Sequence, residues 1–118
     1  MKTFCFDIDG VICITKGNDY KNSKPNKKVI KIINNLYKKN YIVLNTARFM
    51  GRTNNNKKKA ELLCKKLTLS QLKAWKVRYH KIFFGKPSYD FVIDDKSIFL
   101  NPKLNKDINS HLKKSIKL

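Results

Sequence analysis

Apolar and polar positions come in blocks along this chain. "TFCFDI" (3–8) is almost continuously apolar and aromatic, and Asp9-Gly10 follows it. That pattern predicts a short buried strand closed by a turn. "TKGNDYKNSKP" (15–25) is a polar, turn-rich loop. From Asn26 to Lys39 the apolar residues Val29, Ile30, Ile32, Ile33, Leu36 and Tyr37 fall at helical spacing. "YIVLN" (41–45) reads as a second buried strand and 46–56 as a loop. Helices are predicted over about Lys57–Leu67 and Ser70–Trp75. "VRYHKIFF" (77–84) reads as a third strand and "DFVID" (90–94) as a fourth. From about Asn105, Ile108, Leu112 and Ile116 recur every four residues, as in an amphipathic helix.

Short apolar strands alternating with helices predict an α/β protein, a single Rossmann-like parallel sheet flanked by helices. The length of 118 residues fits one domain, 1–118. Trp75, Phe83 and Phe84 are expected in the core and Cys5 in a buried strand. His80 and His111 read as structural or exposed.

Composition narrows the classes. No apolar run approaches the ~18 residues of a membrane span, and no signal-peptide pattern opens the chain. Three cysteines without CxxC spacing argue against a disulfide framework or zinc site and fit a reducing cytoplasm. The net charge of +19 raises the question of a nucleic-acid partner. All but three of the 27 basic residues are lysines, spread without aromatic interleaving. With abundant Asn and Ile, this is the usage of an AT-rich coding sequence, and nucleic acid is not the expected partner.

Acids are scarce, which makes their placement informative. Of eight Asp and Glu, four form the pairs Asp7/Asp9 and Asp94/Asp95, each ending an apolar run. A buried carboxylate loses several kcal/mol of hydration unless it is paired. In an open parallel sheet ligands bind beyond the carboxyl ends of the strands. Strand one ends in Asp7-Ile8-Asp9, strand two in Asn45-Thr46-Ala47-Arg48 and strand four in Asp94-Asp95, and Lys86 lies in "GKPSYD" (85–90). Four carboxylates at one edge call for a divalent cation, and hard oxygen ligands select Mg²⁺. Thr46, the Ala47 and Arg48 amides and the Arg48 side chain are donors suited to a phosphate.

In this order "DIDGV", "NTAR", "GKP" and "IDD" resemble the four signature motifs of the haloacid dehalogenase superfamily, over residues 4–95. "TARFMGR" and "FGKPSYDFVIDDK" resemble its small capsule-biosynthesis phosphatases. The resemblance implies that Asp7 is a nucleophile forming an aspartyl-phosphate. It implies that Asp9 protonates the leaving oxygen and then activates water. Thr46 would hold a phosphate oxygen, and Lys86 would neutralise charge. Asp7, the Asp9 carbonyl and Asp94/Asp95 would hold Mg²⁺. Asp19 and Tyr20, in the loop after strand one, and Arg52 are candidate substrate contacts.

The 36 residues between Asp9 and Thr46 and the 39 between Thr46 and Lys86 are taken up by predicted elements. A cap domain is therefore not expected, and a neighbouring subunit of a homo-oligomer or a large substrate would cover the site. The expectation is a Mg²⁺-dependent phosphomonoesterase acting on a small sugar or amino-alcohol phosphate of surface-polysaccharide synthesis. The alternatives are a phosphatase for a nucleic-acid end and a non-catalytic binding module on the same fold.

Overall fold

The computed structural model describes residues 1–100 and Lys114. Three strands form a parallel sheet in the order β1 (Thr3–Asp7), β4 (Tyr41–Thr46), β5 (Lys81–Phe84). A two-residue ribbon, β2 (Cys13–Ile14) with β3 (Lys24–Pro25), sits between β1 and helix α1 (Lys27–Tyr37). Helix α2 (Lys57–Ala74) joins β4 to β5. The result is a small α/β fold of a parallel sheet and two helices.

Each helix starts where an asparagine side chain replaces a missing backbone partner. Asn26 Oδ1 accepts from the Val29 amide and Asn56 Oδ1 from the Lys59 amide. In α1 the residues Val29, Ile30 and Ile33 are buried, and they meet Phe6, Ile42 and Leu44 of the sheet. The inward side chains of β4 alternate strictly, with Ile42, Leu44 and Thr46 buried. Removing these apolar side chains from water supplies roughly 1.5–3 kcal/mol each.

The two helices predicted over 57–75 are one. Thr68, which falls between the two predicted ranges, is fully buried and belongs to the inward row Ala60, Cys64, Thr68, Leu72. The third strand is shorter than predicted. Val77–His80 precede it, and His80 substitutes for strand pairing: its amide donates to the Ile42 carbonyl while its Nδ1 accepts from the Ile42 amide. Tyr37 and Tyr41 stack on the same ring.

The predicted fourth strand, 90–94, is not a strand. Phe91 is 90% and Ile93 99% exposed, and the segment pairs with nothing in either sheet. An apolar run signals a strand only where an edge receives it, and β1 keeps an edge with no described neighbour. Cys5 and Phe83, expected inside, are exposed, because they lie on the sheet face that the two helices do not cover. Trp75 is half-buried against the core, and Phe84 is buried. The C-terminal helix expected from Asn105, and His111 with it, lie outside the described residues.

No helix among the described residues is long and apolar enough to cross a membrane.

Candidate active site

Parallel pairing fixes which residues meet at the sheet's carboxyl edge. Asp7 is opposite Asn45, and Thr46 is opposite Phe84. Beyond β5 the Lys86 amide donates to the Thr46 carbonyl at 3.0 Å, which ties the "GKP" loop to the end of β4. Gly85 makes that turn with φ +90°, and a Cβ there would collide with the Lys57 side chain. Lys86 is thereby aimed across the sheet, and its Nζ lies 3.3 Å from Asp7 Oδ2.

Asp7 is held but still accessible. Its Oδ1 accepts from the Ile8 amide at 2.8 Å, and its side chain is 36% exposed. Burial pushes its carboxyl above the usual carboxylate value, against the opposing pull of Lys86 and the Ile8 amide. Burial also works against the Lys86 charge, but Tyr89 and Asp7 outweigh it, so the ammonium is held above its ordinary pKa. The Lys86 ammonium further rests 5.2 Å from the Tyr89 ring centre.

Asp9 sits in a different environment. Residues 8–13 fold back tightly, with the Ile12 and Cys13 amides both donating to the Ile8 carbonyl. Asp9 Oδ2 accepts from Arg48 Nε at 2.9 Å, and Oδ1 from Arg48 Nη2 at 3.0 Å and Thr15 Oγ1 at 2.6 Å. Cys13 Sγ also donates to Oδ1, and its thiol, pushed up to about 11 chiefly by burial, stays protonated at neutral pH.

The Arg48 side chain, a candidate for either phosphate contact or structural pairing, pairs within the protein, and the residue is 2% exposed. Beyond the Asp9 fork, Nη1 donates to Thr68 Oγ1 and Gln71 Oε1, and Nη2 contacts Cys13 Sγ and Ser23 Oγ. Every guanidinium nitrogen is engaged within the protein, so Arg48 organises Asp9 and has no donor left for a ligand.

Thr46 is buried at the end of β4, and its Oγ1 accepts from the Arg48 amide. That leaves its hydroxyl hydrogen to donate. Ala47 is half-buried and begins the turn that follows, its carbonyl accepting from the Met50 amide. Tyr20 packs its ring 5.0 Å from the Arg48 guanidinium and 5.1 Å from Phe49, and its carbonyl accepts from Gln71 Nε2. It therefore pins the loop between β2 and β3 over Arg48. Asp19 is exposed and binds Asn22 within that loop. Arg52 lies over the Phe49 ring at 4.5 Å.

Asp94 and Asp95 are not brought to this edge. Both are exposed, and Asp94 Oδ1 accepts from the Lys96 amide in a local turn, which holds its carboxyl below the usual range. Among the described residues no three His, Cys, Asp or Glu side chains gather as a metal site. At this edge Asp7 is the accessible carboxylate, since both Asp9 side-chain oxygens face Arg48, and Asp94 and Asp95, which the resemblance would give to Mg²⁺ with Asp7 and the Asp9 carbonyl, do not gather with it. Thr15, Cys13, Ser23, Thr68 and Gln71, the residues that hold the Asp9–Arg48 pair, escaped the sequence reading. The one sequence signal for it is Arg48 itself, two residues beyond a buried strand's last Thr.

No protein-family profile matches the chain, and no curated protein matches it. Its structure is similar to a crystal structure from Vibrio cholerae, solved as an MCSG target. The TM-score is 0.81 and the identity 26%, over 99% of this chain and 98% of that one.

Proposed function

We propose that the chain is a phosphomonoesterase that passes the phosphoryl group through Asp7, a member of the haloacid dehalogenase superfamily as the motif resemblance implies. The observation that carries this reading is the Asp7–Lys86 pair at the carboxyl edge of a parallel sheet. An accessible carboxylate next to a fixed ammonium is a nucleophile beside a cation that attracts a phosphate.

In this mechanism an Asp7 carboxylate oxygen attacks phosphorus and the P–O ester bond breaks. Asp9 enters this step as the carboxylic acid and gives its proton to the departing alcohol. Water then attacks the aspartyl-phosphate and returns its proton to Asp9, releasing inorganic phosphate and restoring Asp7. Asp9 Oδ2 has one described partner, Arg48 Nε, so this oxygen keeps a lone pair for the proton. Lys86 offsets the charge that gathers between Asp7 and the phosphoryl oxygens; the phosphate contact that the resemblance gives Thr46 would need its buried hydroxyl to open to the site.

Magnesium belongs to this proposal on one condition: that Asp94 and Asp95 reach Asp7. The exposed run Phe91-Val92-Ile93 and the β1 edge, which has no described neighbour, support it, since pairing them would bury the run and deliver both aspartates to the carboxyl edge. The chemistry supplied by the cation would be charge neutralisation around the phosphoryl group. The substrate class proposed is a small sugar or amino-alcohol phosphate. A panel of sugar, amino-alcohol, nucleotide and terminal nucleic-acid phosphates tests it. Release of phosphate from small esters supports the reading, and release from none of them opposes it.

A further inference from the structure

A second cleft lies between α1 and the end of α2 and shares no lining residue with the Asp7–Lys86 site. Its volume is about 580 Å³, within the range of small-ligand sites. Lys27, Lys31 and Lys38 rise from one helix face, at positions that helical spacing sets on one side, and Lys76 and Arg78 oppose them. Among the described residues no acidic side chain lines the cleft. The apolar side chains of Ile30 and Trp75 line it between the cations, and Trp75 is half-buried against the core.

In a chain of net charge +19 a group of surface lysines alone would mean little. Two features fix the backbone of the opposing residues and the side chain of Arg78. Arg78, one of three arginines, is fixed with its guanidinium 4.6 Å from the Tyr37 ring, and its amide donates to Asn34 Oδ1. Lys76 has φ +59° just past the end of α2, a conformation that glycine ordinarily supplies. Asn34 Nδ2 holds that residue's carbonyl at 3.0 Å. The same asparagine thus fastens both opposing cationic residues to α1.

We infer that this cleft binds a small polyanion with a flat aromatic body, of nucleotide chemistry, with the ring against Trp75 and its phosphates among Lys27, Lys31, Lys38, Lys76 and Arg78. Cations facing an apolar wall match an amphiphilic anion, whereas inorganic polyphosphate would leave the aromatic surface unused. The inference does not rest on the reading of Asp7.

Trp75 is the only tryptophan, so its fluorescence reports on the cleft directly. The full chain is titrated with the non-hydrolysable triphosphate analogue AMP-PNP in about 0.2 M KCl, where distant charges are screened. Saturable quenching is expected. The double variant Lys31→Glu/Lys38→Glu should weaken it at least about tenfold, while Lys66→Glu, an exposed α2 position outside the cleft, changes it less than about twofold. Circular dichroism confirms that the variants are folded. Absence of quenching overturns the inference. So does equally tight competition by tripolyphosphate, or an equal effect of Lys66→Glu, because charge alone would then suffice. Tighter binding of a single-stranded oligonucleotide also overturns it and makes the ligand a macromolecule.

Discussion

Arg48 grips Asp9 through both carboxylate oxygens, Nε to Oδ2 at 2.9 Å and Nη2 to Oδ1 at 3.0 Å, from a guanidinium wholly removed from solvent. Asp9, two residues beyond Asp7, is therefore fixed by a side chain with no exposed surface. Truncation leaves a carboxylate and the hydroxyl and amide groups of Thr68 and Gln71 without their partner. Arg48→Ala should lower stability by about 3 kcal/mol, read as a lower urea midpoint. Arg48→Lys should recover less than half of the loss, since an ammonium cannot reproduce the fork. An unchanged midpoint in Arg48→Ala would show that the pair is not structural.

Gly85 sets the direction of Lys86. A methyl group there meets both a left-handed backbone and the Lys57 side chain. Gly85→Ala should cost about 1–3 kcal/mol of stability. It should also reduce turnover of the best phosphate ester by more than any compensating change in KM. A variant with unaltered stability and turnover would detach Lys86 from the turn that carries it.

Asp7 must be ionised to attack phosphorus, and burial raises its carboxyl above the ordinary value. A raised pKa means that the neutral form persists to higher pH in the folded protein. In EDTA the Asp7 carboxyl, followed by NMR, should therefore titrate above a free aspartate. Lys86, held above its ordinary value, stays charged across the neutral range. An Asp7 titration at or below the free-aspartate value in EDTA would contradict the environment assigned to it.

Magnesium dependence and strand docking are linked in the proposal. Activity should be lost in EDTA and restored by Mg²⁺, and Ca²⁺ should not replace it because its larger shell is looser. Amide exchange should slow at residues 3–7 and 91–94 when Mg²⁺ is added. Asp95→Asn should abolish that protection. Full activity in EDTA with exchange unaltered would remove both the cation and the docked strand from the account.

Much of the sheet-and-helix core could be read from the sequence because α1 and β4 carry unbroken periodicity, with Val29, Ile30 and Ile33 in one and Ile42, Leu44 and Thr46 in the other. Helix α2 was hidden by Thr68, a buried polar residue whose hydroxyl accepts from Arg48. Cys5 and Phe83 misled because apolar strand runs read alike whether one or both sheet faces are covered. The run 91–93 misled because its composition does not say whether a neighbouring edge takes it up. At the site, Asp7 and Lys86 were legible as charges at strand ends. Arg48 was not, since an arginine after a strand looks the same in sequence whether it turns outward to a ligand or inward to Asp9. Thr15, Ser23 and Gln71 are ordinary loop and helix residues until the fold brings them together.

The most direct test of the central claim is to trap the phosphorylated enzyme. The full chain is mixed with its best phosphate ester, quenched in acid, digested, and weighed by mass spectrometry. One phosphoryl group should appear on the peptide carrying Asp7, and it should be absent from a folded Asp7→Asn variant that has lost turnover. Turnover close to that of the unmodified chain by folded Asp7→Asn, or a phosphoryl group on any other residue, would contradict the account.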